Sequence, residues 1–135
     1  MQTTTYRGMK CRRMGTSGLW VSEIGLGLWK WGDPSYDGSR VGDHDGFAIL
    51  DRALELGVIH WDTASSYNMQ SGNSERLLGR YFASRSHRIR DMVVLATKVS
   101  NPAREEHESP REFSSNERGA SRKYIMDSVD QCLRR

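Results

Sequence analysis

An α/β fold with parallel strands, led by a β-hairpin, is what this sequence predicts, and three observations predict it. Short apolar runs at 24–29, 58–63 and 92–97 alternate with segments whose apolar residues recur at helical spacing. That alternation implies parallel strands joined by right-handed crossovers. Ahead of it, two short runs flank Gly15-Thr16-Ser17-Gly18, the mark of a hairpin. The second and third apolar runs also end on chemistry. The run from Val58 reaches a carboxylate at Asp62 and a phenol at Tyr67, and the run from Met92 ends on Lys98. The carboxyl ends of parallel strands are where α/β proteins keep their active groups.

A chain of 135 residues is the length of one domain and can bury a core. With 36% hydrophobic and 27% charged residues it reads as globular. The net charge of +3 comes from scattered Arg and Lys, and Arg88-Ile89-Arg90 and Arg134-Arg135 are its nearest clusters. No basic stripe is interleaved with aromatics, which argues against a nucleic-acid partner. Cys11 and Cys132 have no motif spacing and suit reduced thiols in a cytosolic protein. No apolar run approaches the ~18 residues of a membrane span, and no apolar leader opens the chain. A soluble, cytoplasmic protein with no membrane partner is the expectation.

Residues 1–8 are polar and are expected to be disordered. The hairpin then pairs 9–14 with 19–21. In the strand at 24–29, Gly25 and Gly27 allow close approach of a backbone or a ligand. Gly25-Leu26-Gly27 is not a dinucleotide fingerprint, because Lys30 stands where the third glycine is due and no helix starts there. The polar connection over 31–45 is long enough to be functional. Its Asp43-His44-Asp45 reads as an acidic helix start and not as a metal site, since no further ligands follow at calcium-loop spacing.

Phe47, Leu50, Ala53 and Leu54 then share a helix face, opposite Asp51, Arg52 and Glu55, and Gly57 ends the helix. A second helix is expected from Asn73 as N-cap, with Glu75 in its first turn and Leu77, Leu78, Tyr81 and Phe82 as its buried stripe. Residues 84–90 read as a basic connection and 99–120 as a polar loop. Ser121 caps a third helix with Ile125, Val129, Cys132 and Leu133 on its apolar face and Asp130–Arg134 as an i,i+4 pair.

Taken singly, the candidate residues have plain readings: Asp62 a cap, Tyr67 a packing residue, Lys98 a solvated strand end. Their order on consecutive parallel strands favours a site. His60 points the same way as Asp62 by strand alternation and reads as a core histidine, not a ligand, while Trp61 faces the helix layer.

Four segments carry a resemblance: Gly25-Leu26-Gly27-Leu28-Trp29, Asp62-Thr63-Ala64-Ser65-Ser66-Tyr67, Gly72-Asn73-Ser74-Glu75-Arg76-Leu77-Leu78-Gly79 and Ala96-Thr97-Lys98. In order and spacing, from residue 9 to 135, the sequence resembles the N-terminal part of an aldo-keto reductase. The resemblance implies that residues 1–135 are a partial domain: an N-terminal hairpin and the first three βα units of a (β/α)8 TIM barrel. A complete barrel of that type needs ~250 residues. It further implies NADP(H) as cofactor, an aldehyde or ketone as small-molecule substrate, and no metal. By position Tyr67 matches the catalytic acid, Lys98 its charge partner and Asp62 the carboxylate that pairs with the lysine. Gly27, Leu28, Trp29 and Asp62 match cofactor-binding positions, and Trp29 and Tyr67 line the substrate pocket.

Leu28 stands where many members have Thr, and Asn68 follows the tyrosine where Gly is usual. The family's catalytic His and its phosphate-gripping residues are expected beyond Arg135, so these 135 residues alone are expected to be inactive. In the chemistry so implied, a free tyrosine with a pKa of ~10 is a weak acid at neutral pH. An adjacent ammonium favours the phenolate, and a lysine held in a barrel itself requires a carboxylate partner. A regulatory or interaction module without catalysis, on the same barrel scaffold, is the alternative function. A complete three-stranded α/β sandwich is the alternative fold.

Overall fold

The computed structural model describes residues 2–103 and 112–135, so the polar loop expected at 99–120 lies partly outside the described residues. The strands are β1 (Thr3–Tyr6), β2 (Met9–Arg13), β3 (Trp20–Ser22), β4 (Gly25–Gly27), β5 (His60–Asp62) and β6 (Val94–Ala96). The helices are α1 (Asp43–Glu55), the one-turn α2 (Tyr67–Gln70), α3 (Asn73–Ala83), α4 (His87–Met92) and α5 (Arg122–Arg134), with a 3-10 turn at Ser115–Glu117. β1, β2 and β3 make an antiparallel sheet, and β4, β5 and β6 make a parallel one. The fold is therefore the expected α/β arrangement, with an open three-stranded parallel sheet and, among the described residues, no closed barrel.

Within the segment expected to be disordered, Thr3–Tyr6 forms a strand. Thr3–Tyr6 pairs with β2 from Thr3↔Arg12 to Tyr6↔Met9. Three threonines and a tyrosine suit a pleated strand. Arg7 and Gly8, with φ of 49° and 81°, make the positive-φ two-residue turn that hairpin twist favours. The hairpin also docks: Arg7 Nη1 donates to the Leu54 carbonyl at 2.8 Å. Gly57 is required at this junction for two reasons. Its φ is +76°, and a Cβ there would sit 2.2 Å from the Tyr6 carbonyl oxygen.

In the parallel sheet Gly25 pairs with His60 and Gly27 with Asp62, and these in turn pair with Val94 and Ala96. Period-2 alternation puts those six residues on one face and Leu26, Trp61 and Leu95 on the other, against the helices. Trp61 is fully buried there, stacked on Phe82 at 5.9 Å and tilted against Tyr81 at 5.9 Å. Its Nε1 donates to the Val58 carbonyl at 2.9 Å, which satisfies the one polar atom of the ring. Leu28, Leu50, Leu54, Leu77 and Leu78 complete the core under α1 and α3. His60 is half-buried on the same face as Asp62.

Three local expectations shift. The N-cap of α3 is Gly72 in the left-handed region (φ 71°), not Asn73, which is the first helical residue. Within 84–90, expected as a connection, α4 begins at His87, so β6 starts only at Val94. Ser121 does cap α5, accepting from the Tyr124 amide at 3.1 Å, yet Tyr124 and Ser128 are its buried residues, while Val129 and Leu133 are 40% and 74% exposed. Periodicity in a sequence states that a helix has an apolar face; the docking angle decides which residues meet the sheet.

Candidate active site

The site forms where β5 and β6 end side by side. Asp62 is the last residue of β5, and Lys98 lies two residues past the end of β6. The Lys98 ammonium donates to Asp62 Oδ2 at 2.5 Å, to Tyr67 Oη at 2.6 Å and to the Thr63 carbonyl at 2.9 Å. All three of its N–H donors are thereby engaged. Tyr67 Oη donates in turn to Asp62 Oδ2 at 3.0 Å, closing a three-membered polar cluster. Partial burial by itself lowers the pKa of Lys98, but its hydrogen bonds to Asp62 and Tyr67 and the nearby charge outweigh that and raise it, so Lys98 is an ammonium at neutral pH. The Lys98 and Asp62 side chains are 48% and 41% exposed, so solvent reaches the cluster.

Tyr67 reaches the cluster through an unusual backbone. Asn68, Met69 and Gln70 have φ of 50°, 60° and 61°, three successive non-glycine residues in the left-handed region. The turn is held by side chains. Asn68 Nδ2 donates to the Trp31 carbonyl at 2.9 Å, and Ser71 Oγ donates to Asp37 Oδ2 at 2.9 Å. Asp37 is 3% exposed and also accepts from the Ser39 amide at 2.9 Å. Burial would raise its pKa, but hydrogen bonds from Ser39, Ser71 and Asn73 lower it below the usual carboxylate value. The loop after β4 and the loop after β5 are thus fastened together behind Tyr67.

The other sequence candidates are placed differently from one another. Gly27 lies beside Asp62 across the sheet, and a Cβ built on it meets no heavy atom within 4 Å. Leu28 is not on this face: its side chain is fully buried in the core, because alternation after Gly27 turns it to the helices. Its link to the site is through backbone, its amide donating to the Asp62 carbonyl at 2.9 Å. Trp29 is 62% exposed, with the Lys30 ammonium 5.0 Å from its ring centroid. Ser74 and Glu75, which the sequence marks only as part of a helix start, are buried beneath the strand ends. The space at Gly27 is open, and the cation, phenol and carboxylate lie on the same face of the sheet.

Among solved structures, the holo form of aldo-keto reductase AKR11C1 from Bacillus halodurans superimposes with a TM-score of 0.63 and 33% identity, over 93% of this chain and 36% of that one. The chain therefore carries part of a (β/α)8 barrel fold. A sequence model described as Aldo/keto reductase family matches residues 23–135, and the chain belongs to that family. L-glyceraldehyde 3-phosphate reductase of Escherichia coli is 33% identical over 131 residues, covering 96% of this chain and 34% of that protein. Versiconal hemiacetal acetate reductase of Aspergillus parasiticus is 30% identical over 137 residues, covering 94% of this chain and 39% of that protein. The chain spans between a third and two fifths of the length of these relatives.

Proposed function

We propose that the protein interconverts an aldehyde or ketone and its alcohol using NADP(H), with Asp62, Tyr67 and Lys98 handling the proton. The observation that carries this reading is the Lys98 ammonium 2.6 Å from Tyr67 Oη and 2.5 Å from Asp62 Oδ2. In reduction, Tyr67 Oη gives its proton to the carbonyl oxygen. The negative charge left on the phenol oxygen is stabilised by the ammonium already in contact with it. Asp62 balances the lysine and, by accepting from both neighbours, orients them. The nicotinamide, when bound, supplies the hydride to the carbonyl carbon. Gly27, the backbone at Leu28, Trp29 and Asp62 would hold the cofactor, and Trp29 and Tyr67 would line the substrate pocket.

Two relatives, reductases of L-glyceraldehyde 3-phosphate and of versiconal hemiacetal acetate, support a small carbonyl substrate. A cytoplasmic location accords with free cysteines at Cys11 and Cys132. Residues 1–135 by themselves are proposed to be inactive. The test is Tyr67→Phe in the full polypeptide that carries this sequence. Loss of the general acid lowers kcat by about 10²-fold or more while the cofactor Kd stays put. Wild-type turnover from the Phe variant overturns the assignment. Cofactor binding without turnover by the unaltered protein, across a broad carbonyl panel, shows instead a non-catalytic module.

A further inference from the structure

The first turn of α3 makes no side-chain cap of its own, although it carries a serine and a glutamate. A glutamate three residues after the N-cap ordinarily folds back onto the N-cap amide. Here the N-cap is Gly72, and both side chains reach away from the helix to the strand ends. Ser74 is fully buried, and its hydroxyl donates to the Leu28 carbonyl at 2.9 Å, directly after β4. That carbonyl can only accept, so the 2.8 Å contact between Ser74 Oγ and Thr63 Oγ1 has Thr63 as donor. Glu75 Oε1 accepts from Thr97 Oγ1 at 2.6 Å, and its Oε2 accepts from Arg135 Nη1 at 2.9 Å. The Glu75–Arg135 pair is nearly closed to solvent, with side chains 5% and 6% exposed.

The three strand-end residues so held are not arbitrary. Thr63 follows Asp62, Thr97 precedes Lys98, and Leu28 follows Gly27, the residue paired with Asp62. We propose that Ser74 and Glu75 are positioning residues, fastening the ends of β4, β5 and β6 into one rim so that Lys98 stays within reach of Asp62 and Tyr67. The proposal rests on the reading of that cluster as a proton-donating set, but concerns its geometry. A buried serine bridging two strand ends and a buried carboxylate on a third leave the rim little freedom, because breaking any of these bonds strands a polar group away from water.

Thr97 offers the test, since it is exposed and its hydroxyl bonds Glu75 at 2.6 Å, beside the Cys132 thiol. Thr97→Val keeps the volume and removes that bond; Thr97→Ser keeps the bond. In the full polypeptide, with lysine Cε labelled for NMR, Thr97→Val is expected to shift the Lys98 titration midpoint down, towards the ordinary lysine value. It should also lower kcat about tenfold or more with little change in KM, the response to a reacting group displaced by a fraction of an ångström. Thr97→Ser restores both. Glu75→Gln, which also unpairs Arg135, shifts the midpoint the same way if it folds. A Thr97→Val protein with wild-type Lys98 titration overturns the proposal. The titration is read without turnover, so the two readings separate. If Tyr67→Phe keeps full activity while Thr97→Val moves Lys98, the catalytic assignment falls and the positioning stands.

Discussion

Lys98 Nζ and Tyr67 Oη lie 2.6 Å apart although 31 positions separate them in the chain, and the ammonium also sits 4.7 Å from the centre of the tyrosine ring. A cation this close to a phenol stabilises negative charge on its oxygen and holds the ring in place. Lys98→Met, which keeps the stem and deletes the charge, is expected to reduce kcat by about 10²–10³-fold in the full polypeptide. The same variant has a signature in stability. The folded pKa of Lys98 is raised, so its contribution is complete below the unfolded lysine value of ~10.4 and is lost as pH rises through the folded value. Urea midpoints of wild type and variant should therefore differ at pH 8 and converge in strong alkali. A gap that stays constant with pH refutes the assigned coupling.

Asp37 gives the opposite dependence. Its folded pKa is lowered, so its contribution is present above the unfolded aspartate value of ~3.9 and fades as pH falls through the folded value. Asp37→Ala leaves the Ser39 amide and the Ser71 hydroxyl without their acceptor and should cost about 1–3 kcal/mol at pH 7. The cost should shrink at pH 3. Chemical denaturation at the two pH values measures both numbers.

Met69 is 71% exposed and has a φ of 60°. An L side chain in the left-handed region costs ~1–2 kcal/mol, and glycine returns part of that through unfolded-chain entropy of about 0.4–1 kcal/mol. Met69→Gly should thus stabilise by about 0.5 kcal/mol. Asn68→Gly should not, because asparagine tolerates this region well and its amide bond to the Trp31 carbonyl, a net ~1 kcal/mol, goes with the side chain. Thermal melts of the two variants should move in opposite directions.

Strands β4 and β6 each pair on one side only within the described residues. Ile24, Ile49 and Leu56, which are 58%, 40% and 47% exposed, surround an apolar groove beside β4. Open edges next to uncovered apolar surface favour association. Residues 1–135 expressed alone should sediment with a mass that rises with concentration, and Ile24→Lys with Leu56→Lys should reduce that rise. A monodisperse monomer with a sharp, reversible melt contradicts this.

Much of this arrangement was legible in the residues. The helical spacing of Leu77, Leu78 and Tyr81 marked α3, and the alternation around Trp61 correctly turned it to the helices. β1 has no hydrophobic signal, because Thr-Thr-Thr-Tyr is polar, and only its β-branching points to a strand. Likeness to a family position puts Leu28 beside the cofactor, while the period of two, applied one residue past Gly27, sends its side chain into the core. The types and order of Asp62, Tyr67 and Lys98 could be read; their mutual distances could not. The left-handed turn at Asn68–Gln70 that aims Tyr67 carries only the weak local signal of Asn68, since none of its residues is glycine.

By itself the sequence determined the order of strands and helices, the side each strand residue faces, and which reactive groups end β5 and β6, because those properties depend on neighbours two to four positions apart. Only the tertiary structure decided that one ammonium would touch Asp62, Tyr67 and the Thr63 carbonyl at once, and that Ser74 and Glu75 would serve the strand ends instead of their own helix. Those contacts join residues 22 to 46 positions apart, and parallel pairing with helix docking, not local periodicity, brings such residues together.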